Sequence, residues 1–330
     1  MAFHPLPAPE AGPRALVSTI IPVYNRPEMV QRAVASVLAQ TYRPIEILLV
    51  DDGSTDHTPE VLAALQAEHP QIIRVIRQAN AGAGPAREAG RLAARGAFIQ
   101  YLDSDDYLLP NKFTDQIAAL EAHPECAIAY GTSRHVDAEG RDLEAPSRRT
   151  ADRIDSLFPL LLVERWWHTH TPLFRRWISD AAGPWPAFRP EDWDLEARMG
   201  ALRPQLIHCG SEVSIQVDHV SENRVTCGPT VEALRDQAIF LPRLAAAAVL
   251  AEVPPEAPQW RRFSDECFVA ARLLHQLDDR AGGDRLLRLA AFCCSDHSRL
   301  VSPYGQLTRV FGAALGSRLA EVVRTGRWPG

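Results

Sequence analysis

Ile45-Glu46-Ile47-Leu48-Leu49-Val50-Asp51-Asp52-Gly53-Ser54-Thr55-Asp56 decides the fold. Residues 45–50 are an almost unbroken apolar run, the pattern of a strand buried on both faces of a parallel sheet. The run stops at two aspartates and a Gly-Ser-Thr-Asp turn, and residues 59–68 then read as a helix. A buried strand that ends in turn chemistry and passes into a helix is half of a βαβ unit.

The same unit repeats on both sides. Upstream, residues 16–23 form a β-rich run that closes in Pro22-Val23-Tyr24-Asn25. A helix is predicted over 27–39, where Met29, Val30, Ala33, Val34, Val37 and Leu38 recur at helical spacing behind a first-turn proline, Pro27. Downstream, residues 72–77 are a third strand, and a Gly-rich turn leads into a helix at 85–94. Residues 98–102 are a fourth strand, ending at Asp103-Ser104-Asp105-Asp106; a helix at 111–123 and a fifth strand at 127–132 follow. Strands separated by single helices imply right-handed crossovers: an α/β, Rossmann-like fold with a mostly parallel sheet flanked by helices.

The rest of the chain is less regular. Residues 134–153 are polar and expected to be a loop. Helices are predicted at 154–164 and 192–201, and residues 213–217 alternate like a strand. From Thr230 onward the pattern is helical and rich in Ala, Leu and Arg, broken at Val253-Pro254-Pro255-Glu256. The expected organisation is a disordered lead-in (1–14), one α/β domain (15–229, with halves 15–133 and 134–229) and a helical C-terminal subdomain (230–330).

A doubly wound sheet binds ligands at the carboxyl ends of its strands. Four polar clusters fall there: Tyr24-Asn25, Asp51-Asp52, residues 80–87 and residues 103–106. The last carries three carboxylates in four positions. Such crowding is repulsive unless a cation relieves it, and a hard divalent ion such as Mn²⁺ or Mg²⁺ takes carboxylate and phosphate oxygens together. The competing reading is a turn whose Asp and Ser side chains cap the helix near Asn111.

Composition narrows the class. The 330 residues are 46% hydrophobic and 23% charged, with a net charge of −6, which argues against a nucleic-acid partner read through a basic surface. No apolar run approaches the roughly 18 residues of a membrane-spanning helix. Six cysteines without a C-x-x-C pair suit reduced thiols. The expected location is cytoplasmic, with peripheral contact at the inner face of a membrane left open.

As a set, these segments resemble the family 2 glycosyltransferases, which have the GT-A fold. Residues 17–26 are similar to that family's opening strand, residues 49–56 to its second strand end, and residues 80–87 to its Gly-rich segment. Asp103-Ser104-Asp105 is similar to its D-x-D motif, and Glu191-Asp192-Trp193-Asp194-Leu195 to the E-D motif that supplies its base. The resemblance implies a nucleoside diphosphate sugar donor, commonly UDP-linked. It implies that Tyr24 and Asp52 contact the nucleobase, Arg87 the base or diphosphate, and Asp103 the ribose, with Pro22, Asn25, Asp51 and Ser104 in the same donor set. Asp105 would hold Mn²⁺ or Mg²⁺, Asp192 would be the catalytic base of an inverting transfer, and the acceptor would be a glycan, a lipid-linked sugar or a small molecule. Surface-polysaccharide or glycoconjugate synthesis is an association of the family.

The chain departs from that pattern in two places. Glu88 stands where an Asn is frequent, and Val217-Asp218-His219 replaces an Arg-x-His element. His219 then either reaches the metal or diphosphate or is structural. Asp192 opens a predicted helix, a location that favours the carboxylate form a base needs. Trp166, Trp167, His168, Glu191 and Trp193 are candidates for the acceptor site, since aromatic faces stack on sugar rings; the tryptophans read equally well as core or interface residues.

Rival classes fit less well. A phosphatase of the haloacid dehalogenase type needs its nucleophile at position 50, which is Val. A dinucleotide-binding enzyme needs a glycine turn after the first strand, and residues 22–27 hold none. A sugar nucleotidyltransferase needs a basic Gly-rich segment in the same place. A non-catalytic nucleotide-sugar binder of the same fold is opposed by the intact Asp103, Asp105 and Asp192. A membrane-docking tail carrying Arg309, Arg318, Arg324 and Arg327 also holds Glu321, as ordinary helix surface does.

Overall fold

Alternating apolar residues send each central strand into two cores at once. In β1 (Val17–Val23), Val17, Ile21 and Val23 face one cluster and Ile20 the other; in β2 (Ile45–Asp51), Ile47 and Leu49 oppose Leu48 in the same way. This is a computed structural model that describes residues 15–143, 148–218 and 230–294.

The first half follows the expected order: β1, α1 (Pro27–Leu38), β2, α2 (Thr58–Glu68), β3 (Ile73–Arg77), α3 (Ala83–Ala93) and β4 (Phe98–Tyr101). After the acidic turn come β5 (Tyr107–Leu108), α4 (Lys112–Ala122) and β6 (Cys126–Asp137). The second half adds β7 (Leu173–Arg175), α5 (Arg176–Ala181), α6 (Glu191–Ala201) and β8 (Gln205–Asp218), then α7 (Val231–Leu250), α8 (Gln259–Gln276) and α9 (Arg280–Cys293).

Among the described residues, the eight strands form one sheet in the order β3-β2-β1-β4-β7-β6-β8-β5. The block β3-β2-β1-β4 and the pair β6–β8 are parallel; β7 and β5 join antiparallel. The chain winds outward from β1 to β2 and β3, then returns to place β4 on the other side of β1. That reversal opens a crevice at the carboxyl ends of β1 and β4. Asp52 N donates to Val23 O (2.9 Å) and Leu102 N to Ile20 O (3.0 Å), so the loops after β2 and β4 leave the sheet side by side with the end of β1.

Two expectations are corrected. The loop foreseen at 134–153 begins as strand: β6 continues to Asp137, paired in parallel with β8 as far as Asp218. The helix foreseen at 154–164 is only a single 3-10 turn, Leu160–Leu162. Pro159 lies inside that stretch, with no amide to donate and a ring that clashes with a preceding α-turn. Tryptophans bond to carbonyls of this stretch: Leu157 O accepts from Leu161 N (3.1 Å) and also from Trp166 Nε1, and Leu161 O accepts from Trp193 Nε1, both indole bonds at 2.8 Å. The strands β5 and β7, two and three residues long, gave no periodic signal to read.

The C-terminal helices are packed on the sheet, not apart from it. Leu241, Leu244, Phe263, Leu274 and Leu287 share one buried cluster with Tyr101, Tyr130, Trp185 and Leu195. Arg243 of α7 donates to both oxygens of buried Asp194 in α6 (2.5 and 3.0 Å). Lys112 is wholly buried, with Nζ donating to Gln116 Oε1 and Thr171 O at 2.7 Å each; burial pushes its amine well below the usual lysine range.

Candidate active site

The loops after β1 and β2 are laced together. Thr55 N donates to Asn25 Oδ1 (2.8 Å), Asn25 N to Ser54 Oγ (3.1 Å) and Ser54 N to Asp51 Oδ1 (2.8 Å). Asn25 and Asp51 therefore tie the two loops together, Pro22 is the last residue but one of β1, and Tyr24 directly follows that strand, 43% exposed. Gly53 takes φ +76° at the turn, where its backbone approaches Asn80. Asp52 is buried and grips the Gly-rich segment: Gln78 Nε2 (2.8 Å) and Ala81 N (2.9 Å) donate to Oδ1, and Gly82 N (2.8 Å) to Oδ2. A carboxylate has about four acceptor positions, so Oδ2 keeps capacity for one further donor.

Arg87, on α3, is the hub. Its Nη2 donates to Asp103 Oδ1 at 2.6 Å and its Nη1 to Glu191 Oε1 at 2.8 Å, while the guanidinium covers the ring of Trp185 at 4.8 Å. Burial alone would weaken its hold on its proton, but Asp103, Glu191 and Asp192 outweigh burial and strengthen it. The same pairing keeps Asp103 below the usual carboxylate range in spite of its own burial. α3 can come this close because Gly84 has no side chain: a β carbon there would lie 1.9 Å from Pro186 O.

The acidic turn splits its carboxylates among three directions. Asp103 faces Arg87. Asp105 Oδ2 accepts from Arg26 Nη1, a residue to which sequence reasoning assigned no role. Asp106 accepts from Val217 N through Oδ1 (2.9 Å), and its Oδ2 lies 2.9 Å from His170 Nδ1, at an angle that makes no hydrogen bond. Ser104 is buried between them. Among the described residues, Asp103, Asp106 and His170 are the group whose ligand atoms lie close enough to hold one metal ion, all within 4.8 Å. Two carboxylates and an imidazole, with a buried ring nitrogen lacking a hydrogen-bond partner, fit a divalent ion that accepts both oxygen and nitrogen ligands, such as Mn²⁺. Asp105 points away from that group, toward Arg26, and His219 lies outside the described residues.

Glu191 and Asp192 open α6 opposite the acidic turn. Asp192 Oδ2 accepts from Arg165 Nη1 and from Thr169 Oγ1 (3.3 Å), and Oδ1 accepts from Trp193 N (2.8 Å); the side chain is 23% exposed. Arg165 is buried and also grips Glu196 with Nε (3.0 Å) and Nη2. Burial opposes its charge, and Asp192 and Glu196 more than restore it. Nothing in the local sequence marks Arg165 or Glu196; the only signal is that Glu196 follows Asp192 by four, one helical turn along the same face.

The aromatic residues foreseen at an acceptor site separate. Trp167 is a core residue, 1% exposed, with its ring 5.1 Å from that of Tyr130. Trp166 and Trp193 are half-buried and committed through their indole N–H groups to the chain; Trp193 also meets Phe240 at 5.5 Å. His168 stacks on His170 at 5.5 Å, and burial, with His170, Arg148 and Arg165 nearby, pushes its pKa well below the usual value, leaving it neutral. Glu191 belongs to the Arg87 bridge.

An open sheet with a reversal between β1 and β4, an acidic turn after β4 and a carboxylate pair facing it define the GT-A class. Residues 18–180 match the family described as Glycosyl transferase family 2, and these residues form a family 2 glycosyltransferase domain. It is similar to the chondroitin synthase of Escherichia coli, 39% identical over 125 residues that cover 38% of this chain and 18% of that protein. The chain spans about half the length, or less, of the curated relatives it matches. Its fold is similar to that of S. aureus TarS 1–349 in complex with UDP-GlcNAc (15% identity, TM-score 0.68, 95% of this chain and 93% of that one). It is also similar to the mannosyltransferase PcManGT of Pyrobaculum calidifontis in complex with GDP-Man and Mn²⁺ (16% identity, TM-score 0.52, 96% and 88%). No helix among the described residues is long and apolar enough to cross a membrane.

Proposed function

We propose that this protein transfers a sugar from a nucleoside diphosphate sugar, UDP-linked, to an acceptor hydroxyl of a glycan or glycoconjugate, with inversion at the anomeric carbon. One observation carries this reading: Arg87 ties the acidic turn to Glu191, next to Asp192. The carboxylate that would meet the donor and the carboxylate that would meet the acceptor thus face one crevice.

The roles follow from the charges. Tyr24 and Asp52 hold the nucleobase, Asp52 through the acceptor capacity left on Oδ2. Asp103, Asp106 and His170 would hold a divalent ion, with Asp105 joining only by leaving Arg26, and such an ion would supply positive charge opposite the leaving diphosphate. Asp192 receives the acceptor hydroxyl's proton as its oxygen bonds to the anomeric carbon. The bond to the diphosphate breaks on the opposite side, and its electron pair departs with the diphosphate. Attack from the face opposite the leaving group inverts the centre.

The test pairs binding with turnover. Melting temperature is measured with UDP, GDP, dTDP and CDP, each with and without Mn²⁺, on wild type, Asp103→Ala and Asp192→Asn. A nucleotide at about 100 times its Kd adds roughly 2.7 kcal/mol of stability. The expected pattern is a Mn²⁺-dependent shift for UDP that is lost in Asp103→Ala and kept in Asp192→Asn, with transfer lost in the first and cut to a small residual rate in the second. Binding without turnover in the wild type, across acceptors, would mark a non-catalytic nucleotide-sugar binder instead.

A further inference from the structure

We infer that Arg165, clamped by Glu196, is the residue that positions the Asp192 carboxylate for proton transfer; the inference rests on Asp192 being the base. Arg165 lies between the 3-10 turn and β7, buried, and makes a forked contact with both oxygens of Glu196. A fork between guanidinium and carboxylate fixes the plane of both groups, which a lysine ammonium does not do. The remaining nitrogen, Nη1, then reaches only one oxygen of Asp192, Oδ2, which Thr169 Oγ1 also holds.

This has a directional consequence. Among the described residues, Oδ2 has two donors, one of them charged, while Oδ1 has one, the backbone Trp193 N. Each carboxylate oxygen offers about two acceptor positions. Oδ1 therefore keeps an open position, and Oδ1 is the oxygen that takes the proton. Asp192 and Glu196 stand one turn apart on α6, so the helix fixes their separation and Arg165 spans it. Replacing Glu196 leaves the fork without its anchor, and replacing Arg165 lets the Asp192 carboxylate rotate. Geometric errors of about 1 Å at a reacting group cost up to about a hundredfold in rate.

The experiment compares Arg165→Lys and Glu196→Gln with wild type, alone and in the Asp192→Asn background. Crystal structures of both single variants read the carboxylate directly, whatever the substrates prove to be. They should show its plane turned and Oδ1 displaced; an Asp192 carboxylate in the wild-type orientation in both would overturn the inference. With the sugar nucleotide identified by melting shift, kcat should fall ten- to a hundredfold in each variant while the donor KM and the UDP-dependent shift stay put. In the Asp192→Asn background the added substitution should cost nothing more, because Arg165 acts only through that carboxylate. An equal further loss there, or a parallel loss of UDP binding, would make the Arg165–Glu196 pair a structural element only. A wild type that binds no nucleotide would count against the glycosyltransferase reading, and the two crystal structures would still decide the positioning role.

Discussion

Arg87 and Glu191 are 104 positions apart in the chain and meet at 2.8 Å. This contact closes the crevice, because the same guanidinium holds Asp103 at 2.6 Å. It joins the half of the domain that ends in the acidic turn to the half that begins α6.

Arg87→Ala leaves two partly buried carboxylates facing each other without a cation. Breaking a buried pair by removing one partner costs about 3–5 kcal/mol. Urea unfolding should show a loss of that order, and the UDP-dependent melting shift should shrink with it. An unchanged midpoint would mean that Asp103 and Glu191 find other partners.

Gly84→Ala tests the close approach of α3 to the loop before α6. A β carbon would lie 1.9 Å from Pro186 O, a backbone atom that cannot swing aside. Overpacking of this kind costs about 1–3 kcal/mol. Since the shift separates Arg87 from Glu191, activity should fall more than stability, as read by kcat/KM beside the urea midpoint.

Asp52→Asn separates the structural role of Asp52 from the nucleobase contact proposed for it. The amide keeps one acceptor oxygen for the Gly-rich segment, but its NH₂ group confronts donors that the carboxylate accepted from. We expect roughly 1–3 kcal/mol of destabilisation from unsatisfied groups, and weaker UDP binding by isothermal titration calorimetry. UDP affinity equal to wild type would remove Asp52 from the nucleobase contact.

Acid should weaken the domain through Glu46. This carboxylate is buried in β2, and burial alone would raise its pKa. Ser18 Oγ (2.6 Å), Arg95 N (2.7 Å) and Arg95 Nε (2.9 Å) all donate to it and bring it below its ordinary 4.5. A carboxyl with a lowered folded pKa contributes its full stability above the unfolded value and loses it as pH falls through the folded one. Stability measured downward from pH 6 should therefore fall below about pH 4.5, and Glu46→Gln should flatten that fall. An identical acid limb in Glu46→Gln would exclude Glu46 as its source.

Much of this architecture was legible before any coordinates. The apolar, β-rich runs at 16–23 and 45–50, the helical spacing of Val30, Val34 and Val37, and the turn chemistry after each strand are local properties. Local physics suffices to set strand, turn and helix in order, and a parallel sheet then carries every strand's carboxyl end to one edge. That is why Tyr24, Asp52, Arg87 and Asp103 could be placed at one edge together, whereas Asp192 was nominated through the family resemblance of Glu191-Asp192. It is also why the stretch at 154–164 misled: its apolar spacing reads as helix, and Pro159 with two distant tryptophans overrules it.

What the tertiary structure alone decided is who partners whom. Asp105 meets Arg26, Asp106 meets His170, Arg87 joins Asp103 to Glu191, and Arg165 joins Asp192 to Glu196. Trp167, eligible by type to stack on a sugar, lies instead beside Tyr130 in the core. A long charged or aromatic side chain can reach several neighbours, and its choice depends on how loops far apart in sequence close over one sheet edge. The sequence alone determined the parallel block of the sheet, its polar edge and the residue types gathered there; the pairings at that edge came only from closure, because electrostatic and packing partners are set by distance in space and not by position along the chain.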